Sequence, residues 1–189
     1  MKWLLLLYKV PPEPAKKRMA LWRRLKGMGA VYLQDGVCFL PNTKDHLRGL
    51  KILDNEIAEM RGEAIVLESQ ALNQAQEDRV IQRFNDDRND IYKEFLGRCA
   101  DYEAEIAREI KQRHFTYGEL EENDEDLKKL REWLAKIKRL DFYDAPLAKA
   151  AQTKLQVCAK RLEEFSQKVF AAQEENTRHK KPPVRGKRP

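Results

Sequence analysis

Apolar positions recur with two different periods along this chain, and the change from one to the other falls near residue 70. Trp3 to Tyr8 ("WLLLLY") is an unbroken apolar run that stops at Lys9 and the proline-rich "PPEP". A run that short and uniform predicts a strand buried on both faces. Ala15 to Gly27 follows as a helix, with Leu21, Leu25 and Met28 spaced by four and three, and "GMG" ends it. In projection Ala15, Met19, Leu21, Trp22 and Leu25 share one arc, which is expected to face inward. "AVYLQDGVCFLP" reads as a hairpin, because Asp35-Gly36 supplies the positive φ angles of a tight turn. Thr43 can cap a second helix with the stripe Leu47, Leu50, Leu53, Ile57 and Met60, and "EAIVLES" makes a fourth strand.

The order β-α-β-β-α-β over residues 1–71 predicts a ferredoxin-like split unit. Its first and third strands are central in that fold, and "WLLLLY" and "VCFL" are the most uniformly apolar strands here. Both helices cover one face of such a sheet. The other face requires a lid, supplied either by the rest of the chain or by a second subunit in a homodimer through the sheet face.

Beyond residue 71 the period is helical. No proline occurs from Asn73 to His114, and Ile81, Phe84, Ile91, Phe95, Tyr102, Ile106 and Ile110 recur at roughly helical spacing. Phe115 to Glu122 breaks the pattern. Asn123 is then expected to cap a helix with an acidic first turn and a stripe from Leu127 to Ile137. "DFYDAP" turns the chain into a last helix from Leu147 to Phe170, with Phe142 and Tyr143 packed into the core at the turn. The prediction is therefore an α+β protein: a ferredoxin-like βαββαβ domain (1–71), an antiparallel three-helix hairpin bundle (72–176) and a disordered basic tail (177–189).

Charge adds asymmetry to this picture. The formal net charge of +6 resides in the six basic residues between Arg178 and Arg188, so the rest of the chain sums to zero. Within the rest, Lys2 to Lys26 carries eight basic residues against the single Glu13. The cysteines, Cys38, Cys99 and Cys158, stand far apart inside apolar or helical patterns and read as reduced, buried thiols. The apolar run at the amino terminus is too short for a signal peptide, and no segment approaches a membrane span. A cytoplasmic protein is expected.

Catalytic chemistry finds little support in the residues. His46, His114 and His179 are isolated, and there is no HExxH motif, Cys-His cluster, phosphate loop or nucleophile elbow. Asp86, Asp87 and Asp90 lack the spacing of a calcium loop and read as a solvated helix face. No metal or other cofactor is expected.

The first helix is more informative. Lys16, Lys17, Arg23 and Arg24 lie opposite its apolar arc, and no acid within the helix stands at i±4 from any of them. They form either an ordinary solvated face or a row for a polyanion such as DNA. Arg18 lies inside the arc near the helix start and is expected to snorkel toward Lys9. Together these two would suit an anion, whether a phosphate, an oxyanion or a carboxylate; the structural alternative pairs Arg18 with Glu13 or with a carboxylate of the helical region.

The stretch from Trp3 to Pro41, with "LLLLYKVPPEP", Arg18 and "WRRLKGMGA", resembles the amino-terminal domain of ChrB, the chromate-resistance regulator of bacteria. "GEAIVLES" and the helical region with "RLDFYDAP" share the resemblance. It implies control of a chromate-resistance operon through DNA binding, and its matching positions with chemistry are Lys9, Arg18, Arg23, Arg24 and Lys26. The arrangement is also similar to the ferredoxin-like domains of PaaX-type repressors and of the small CRISPR adaptation nuclease. In that nuclease an aspartate ends the first strand and holds a metal. Here Lys9 takes the place, and an ammonium cannot ligate a metal.

The expectation is a non-enzymatic regulator that meets DNA phosphates through Lys16, Lys17, Arg23, Arg24, Lys26 and the tail, with Lys9 and Arg18 as an anion pocket for an oxyanion or phosphate. Its rivals are a protein-interaction module without nucleic acid and a metal-dependent phosphodiesterase.

Overall fold

The computed structural model describes residues 1–179; of the expected tail at 177–189, residues 177–179 belong to the last helix and residues 180–189 lie outside the described residues. The elements are β1 (Lys2–Lys9), α1 (Ala15–Gly27), β2 (Val31–Gln34), β3 (Val37–Pro41), α2 (Lys44–Glu59), β4 (Glu63–Gln70), α3 (Gln74–Gln112), α4 (Tyr117–Arg139) and α5 (Ala148–His179). All strand pairs are antiparallel and the order is β2-β3-β1-β4, so β1 and β3 are central, as their composition requires. This is the ferredoxin-like arrangement, and the protein is α+β.

Successive side chains of β1 leave the sheet on opposite faces. Leu4 and Leu6, with Cys38 and Leu40 of β3, pack under Leu21 and Leu25 of α1 and Leu50, Leu53 and Ile57 of α2. Thr43 Oγ1 accepts the His46 N–H at 3.1 Å and so starts α2. Gly29 (φ +82°) ends α1, and the Ala30 N–H reaches back to the Leu25 carbonyl at 3.0 Å. A Cβ at Gly29 would lie 2.6 Å from the Phe142 ring.

The inward arc expected of α1 is narrower than its projection. Only Leu21 and Leu25 are buried, while Met19 and Trp22 are 46% and 44% exposed. A short helix lying on a sheet touches it along one line of residues at i and i+4, so the flanks of a wide apolar arc remain in solvent.

The second sheet face is covered in part by the chain itself. Trp3, Val31 and Phe84 form a core there, joined by Phe39, Val80, Ile81, Phe142 and Tyr143. Trp3 Nε1 donates to the Tyr143 hydroxyl at 2.8 Å, and Phe84 meets Tyr143 with ring centroids 5.1 Å apart. The sheet-bearing unit accordingly comprises Met1–Asp90 and Arg139–Pro146. Toward the β4 edge the same face stays open: Ile65 and Leu67, opposite Leu7 and Leu5, are 59% and 48% exposed.

The second unit begins at Ile91 within α3 and holds α4 and α5. Phe95 packs on Trp133 and the Tyr102 hydroxyl donates to the Asn123 carbonyl, so α4 runs antiparallel to this part of α3. Tyr117 against Phe170 makes α5 antiparallel to α4, and Lys154 reaches Glu103 at 2.9 Å. The start of α4 differs from expectation. Thr116, not Asn123, caps it by accepting the Glu119 N–H at 3.2 Å. Asn123 lies buried inside the helix and donates to the Glu119 carbonyl at 2.8 Å. Its amide is satisfied within the helix, which removes the reason to end one there. All three cysteines are buried and free.

Candidate nucleic-acid interface and anion cleft

Helix α1 divides its charges among three directions. No acid lies in its first turn and Pro14 at its start offers no capping side chain, so Glu13, just before the helix, is the acid nearest its entering cations. Lys16, Lys17 and Arg23 are exposed and make no ion pair among the described residues. Arg24 pairs with Glu56 of α2. Lys26 Nζ lies 2.6 Å from Asp87 Oδ1 and 5.9 Å from the centre of the Tyr32 ring. The row expected to meet DNA is therefore split: three members are open, Arg24 is held at a half-exposed surface pair, and Lys26 is engaged inside the sheet-bearing unit.

Arg18 and Lys9 both line a cleft of about 1030 Å³. Its walls are the cleft-facing side of α1, the end of β1, the β2–β3 hairpin and the opening turns of α3. Neither cation has an ion-pair partner among the described residues, so the pairing of Arg18 with Glu13 or another carboxylate does not form. Glu13 instead accepts the Ala15 N–H at 3.2 Å.

The hairpin tip is tied to β1, with the Tyr8 N–H donating to the Gly36 carbonyl at 2.7 Å. That hydrogen bond sets Tyr8 beside Tyr32, and their hydroxyls stand 3.0 Å apart. Burial raises both phenols above the ordinary tyrosine range, with the shared hydrogen bond and the charge of Tyr8 raising Tyr32 further. Both therefore remain neutral donors at physiological pH. Across the cleft, Arg83 donates to the Tyr32 carbonyl at 3.2 Å, and Asp86 accepts from Gln82 at 2.7 Å.

Trp22, Met19, Tyr8, Tyr32 and Arg83 were not identifiable as cleft residues from spacing. Asp86, Asp87 and Asp90 read as a wet helix face, and they too line this space. The signal available in the sequence was Tyr8 beside Lys9 at the end of an otherwise aliphatic strand.

Residues 18–176 match the family described as "Protein ChrB, N-terminal". The chain belongs to the ChrB amino-terminal family. A relative named Protein ChrB, from Cupriavidus metallidurans strain CH34, is 34% identical over 94 residues. That alignment takes in 50% of this chain but only 28% of the relative. Both α1 from Arg18 onward and the carboxylates of α3 fall within the family match, whereas β1 precedes it. No helix among the described residues of this ChrB-family chain is long and apolar enough to cross a membrane.

Proposed function

We propose that this ChrB-family chain is a non-enzymatic cytoplasmic regulator that binds DNA at a chromate-resistance operon, with α1 on the phosphate backbone. The single observation that carries the reading is the open row of Lys16, Lys17 and Arg23 on one short helix. Unneutralised cations in a row gain most from a polyanion, because each phosphate they neutralise releases condensed counterions. Log affinity for operator DNA should fall with log salt by roughly 0.9 per phosphate neutralised. Replacing Lys16, Lys17 and Arg23 together with Ala in the full chain should flatten that slope by about 0.9 for each phosphate these side chains neutralise. A slope unchanged by the triple replacement refutes the role of α1.

A homodimer through the sheet face accompanies this reading. Ile65 and Leu67 remain exposed beside Leu5 and Leu7, and a two-fold partner would cover them while presenting two α1 helices to successive half-sites. Light scattering of the full chain and of Leu67→Lys decides it. A dimer that the substitution dissociates supports the arrangement, and a monomeric parent chain removes it.

A further inference from the structure

The cleft between α1 and the β2–β3 hairpin is much larger than a tetrahedral oxyanion needs. Its volume of about 1030 Å³ lies at the upper end of clefts that hold drug-sized organic ligands, roughly 300–1,000 Å³. An oxyanion seated by Lys9 and Arg18 would leave most of that space to water.

The walls carry both signs of charge: Lys9 and Arg18 share the cleft with Asp35 of the hairpin turn and with Asp86, Asp87 and Asp90 of α3. Lys9 and Arg18 supply positive charge with no ion-pair partner among the described residues. Beside Arg18 on α1, Trp22 exposes 44% of its surface, and Leu33 across the cleft exposes 49%. An open indole next to a guanidinium is a platform for a flat, polarisable ring. The Tyr8 and Tyr32 hydroxyls share one hydrogen bond but carry two hydrogens, so one hydrogen remains to donate to a ligand oxygen. Asp86 on the far wall is satisfied by Gln82 on one oxygen only, and a carboxylate accepts more than one N–H.

A ligand that uses all of these features carries an anionic head, a flat ring and N–H donors on that ring. We propose that the cleft binds a nucleotide, with the phosphate at Lys9 and Arg18, the base against Trp22 and its N–H groups toward Asp86. This goes beyond DNA binding by the outer face of α1, because it uses the side of the helix that Lys16, Lys17 and Arg23 do not occupy. A free mononucleotide and a nucleotide displayed by a nucleic acid offer the same chemistry.

Calorimetry of the full chain with guanosine monophosphate, guanosine, inorganic phosphate and a short single-stranded oligonucleotide tests the assignment. The nucleotide should bind at least about tenfold more tightly than guanosine or phosphate alone, a difference of about 1.4 kcal/mol. Arg18→Ala and Trp22→Ala should each weaken it about tenfold, and Trp22→Phe should retain most of the affinity. Circular dichroism of the variants separates impaired binding from impaired folding. Replacing Lys16, Lys17 and Arg23 should leave nucleotide binding intact even where operator binding falls, so the two readings fail separately. An oligonucleotide that competes with the mononucleotide assigns the site to nucleic acid; one that does not assigns it to a free nucleotide. Phosphate binding as tightly as the nucleotide, no binding at millimolar concentration, or binding indifferent to both Arg18→Ala and Trp22→Ala would overturn the proposal.

Discussion

Lys26 and Asp87 form a 2.6 Å ion pair that ties the last turn of α1 to the opening turns of α3. The same carboxylate accepts from the buried Arg88 at 3.2 Å, so one acid serves two cations of the sheet-bearing unit. This arrangement withdraws Lys26 from the solvent-facing row and fixes one wall of the cleft.

Asp87→Asn should therefore be costly. It leaves Lys26 without its carboxylate and removes a negative charge from beside a guanidinium that is almost fully buried. A loss of about 2 kcal/mol is expected in urea unfolding, because an uncompensated buried charge costs more than the intact pair contributes. Lys26→Gln should cost less, since Asp87 keeps Arg88. Equal effects of the two substitutions would mean that Arg88 does not depend on Asp87.

Glu56 holds Arg24, and both side chains are about two-fifths exposed. Such a pair contributes little to stability, about 0–1 kcal/mol. Its removal should instead be visible in DNA binding. Glu56→Gln frees Arg24, and the salt dependence of operator affinity should steepen by up to about 0.9. Weaker binding by this variant would show that Arg24 does not face the DNA.

Gly36 turns the hairpin at φ +74°, and a Cβ there would lie 2.3 Å from the Tyr8 carbonyl oxygen. Gly36→Ala meets both backbone strain and a clash with main chain, so a destabilisation of about 1–3 kcal/mol is expected. The displaced hairpin would also separate Tyr8 from Tyr32. Thermal unfolding reads the first effect and nucleotide calorimetry the second.

Cys38 is fully buried beneath α1 and α2, and burial pushes its thiol up to about 12. A thiol raised in the folded state stays protonated well above the pH at which an ordinary cysteine becomes a nucleophile. Iodoacetamide near pH 8 should leave Cys38 unmodified in the native protein and label it in urea. Labelling at equal rates in both conditions would contradict this burial.

Much of the architecture was legible because its causes are local. The apolar run "WLLLLY", the Asp35-Gly36 turn and the Thr43 cap each depend on residues within a few positions of one another. The start of α4 was misplaced for an instructive reason. Asn123 has the composition of a cap, but its amide found the Glu119 carbonyl, and Thr116 supplied the real cap about two turns earlier than expected. Composition names residues able to cap without saying which one the chain uses.

By itself the sequence determined the strand and helix order, the two central strands and the excess of cations on α1, because periodicity and turn chemistry act along the chain. Only the tertiary structure decided which cations remain open. Lys26 meets an acid 61 positions away and Arg24 one 32 positions away, while Lys16, Lys17 and Arg23 meet none among the described residues. The exposure of Trp22 and the meeting of Tyr8 with Tyr32 were settled in the same way. Neutralisation and burial depend on which side chain of another element arrives within a few ångströms, and packing alone sets that distance.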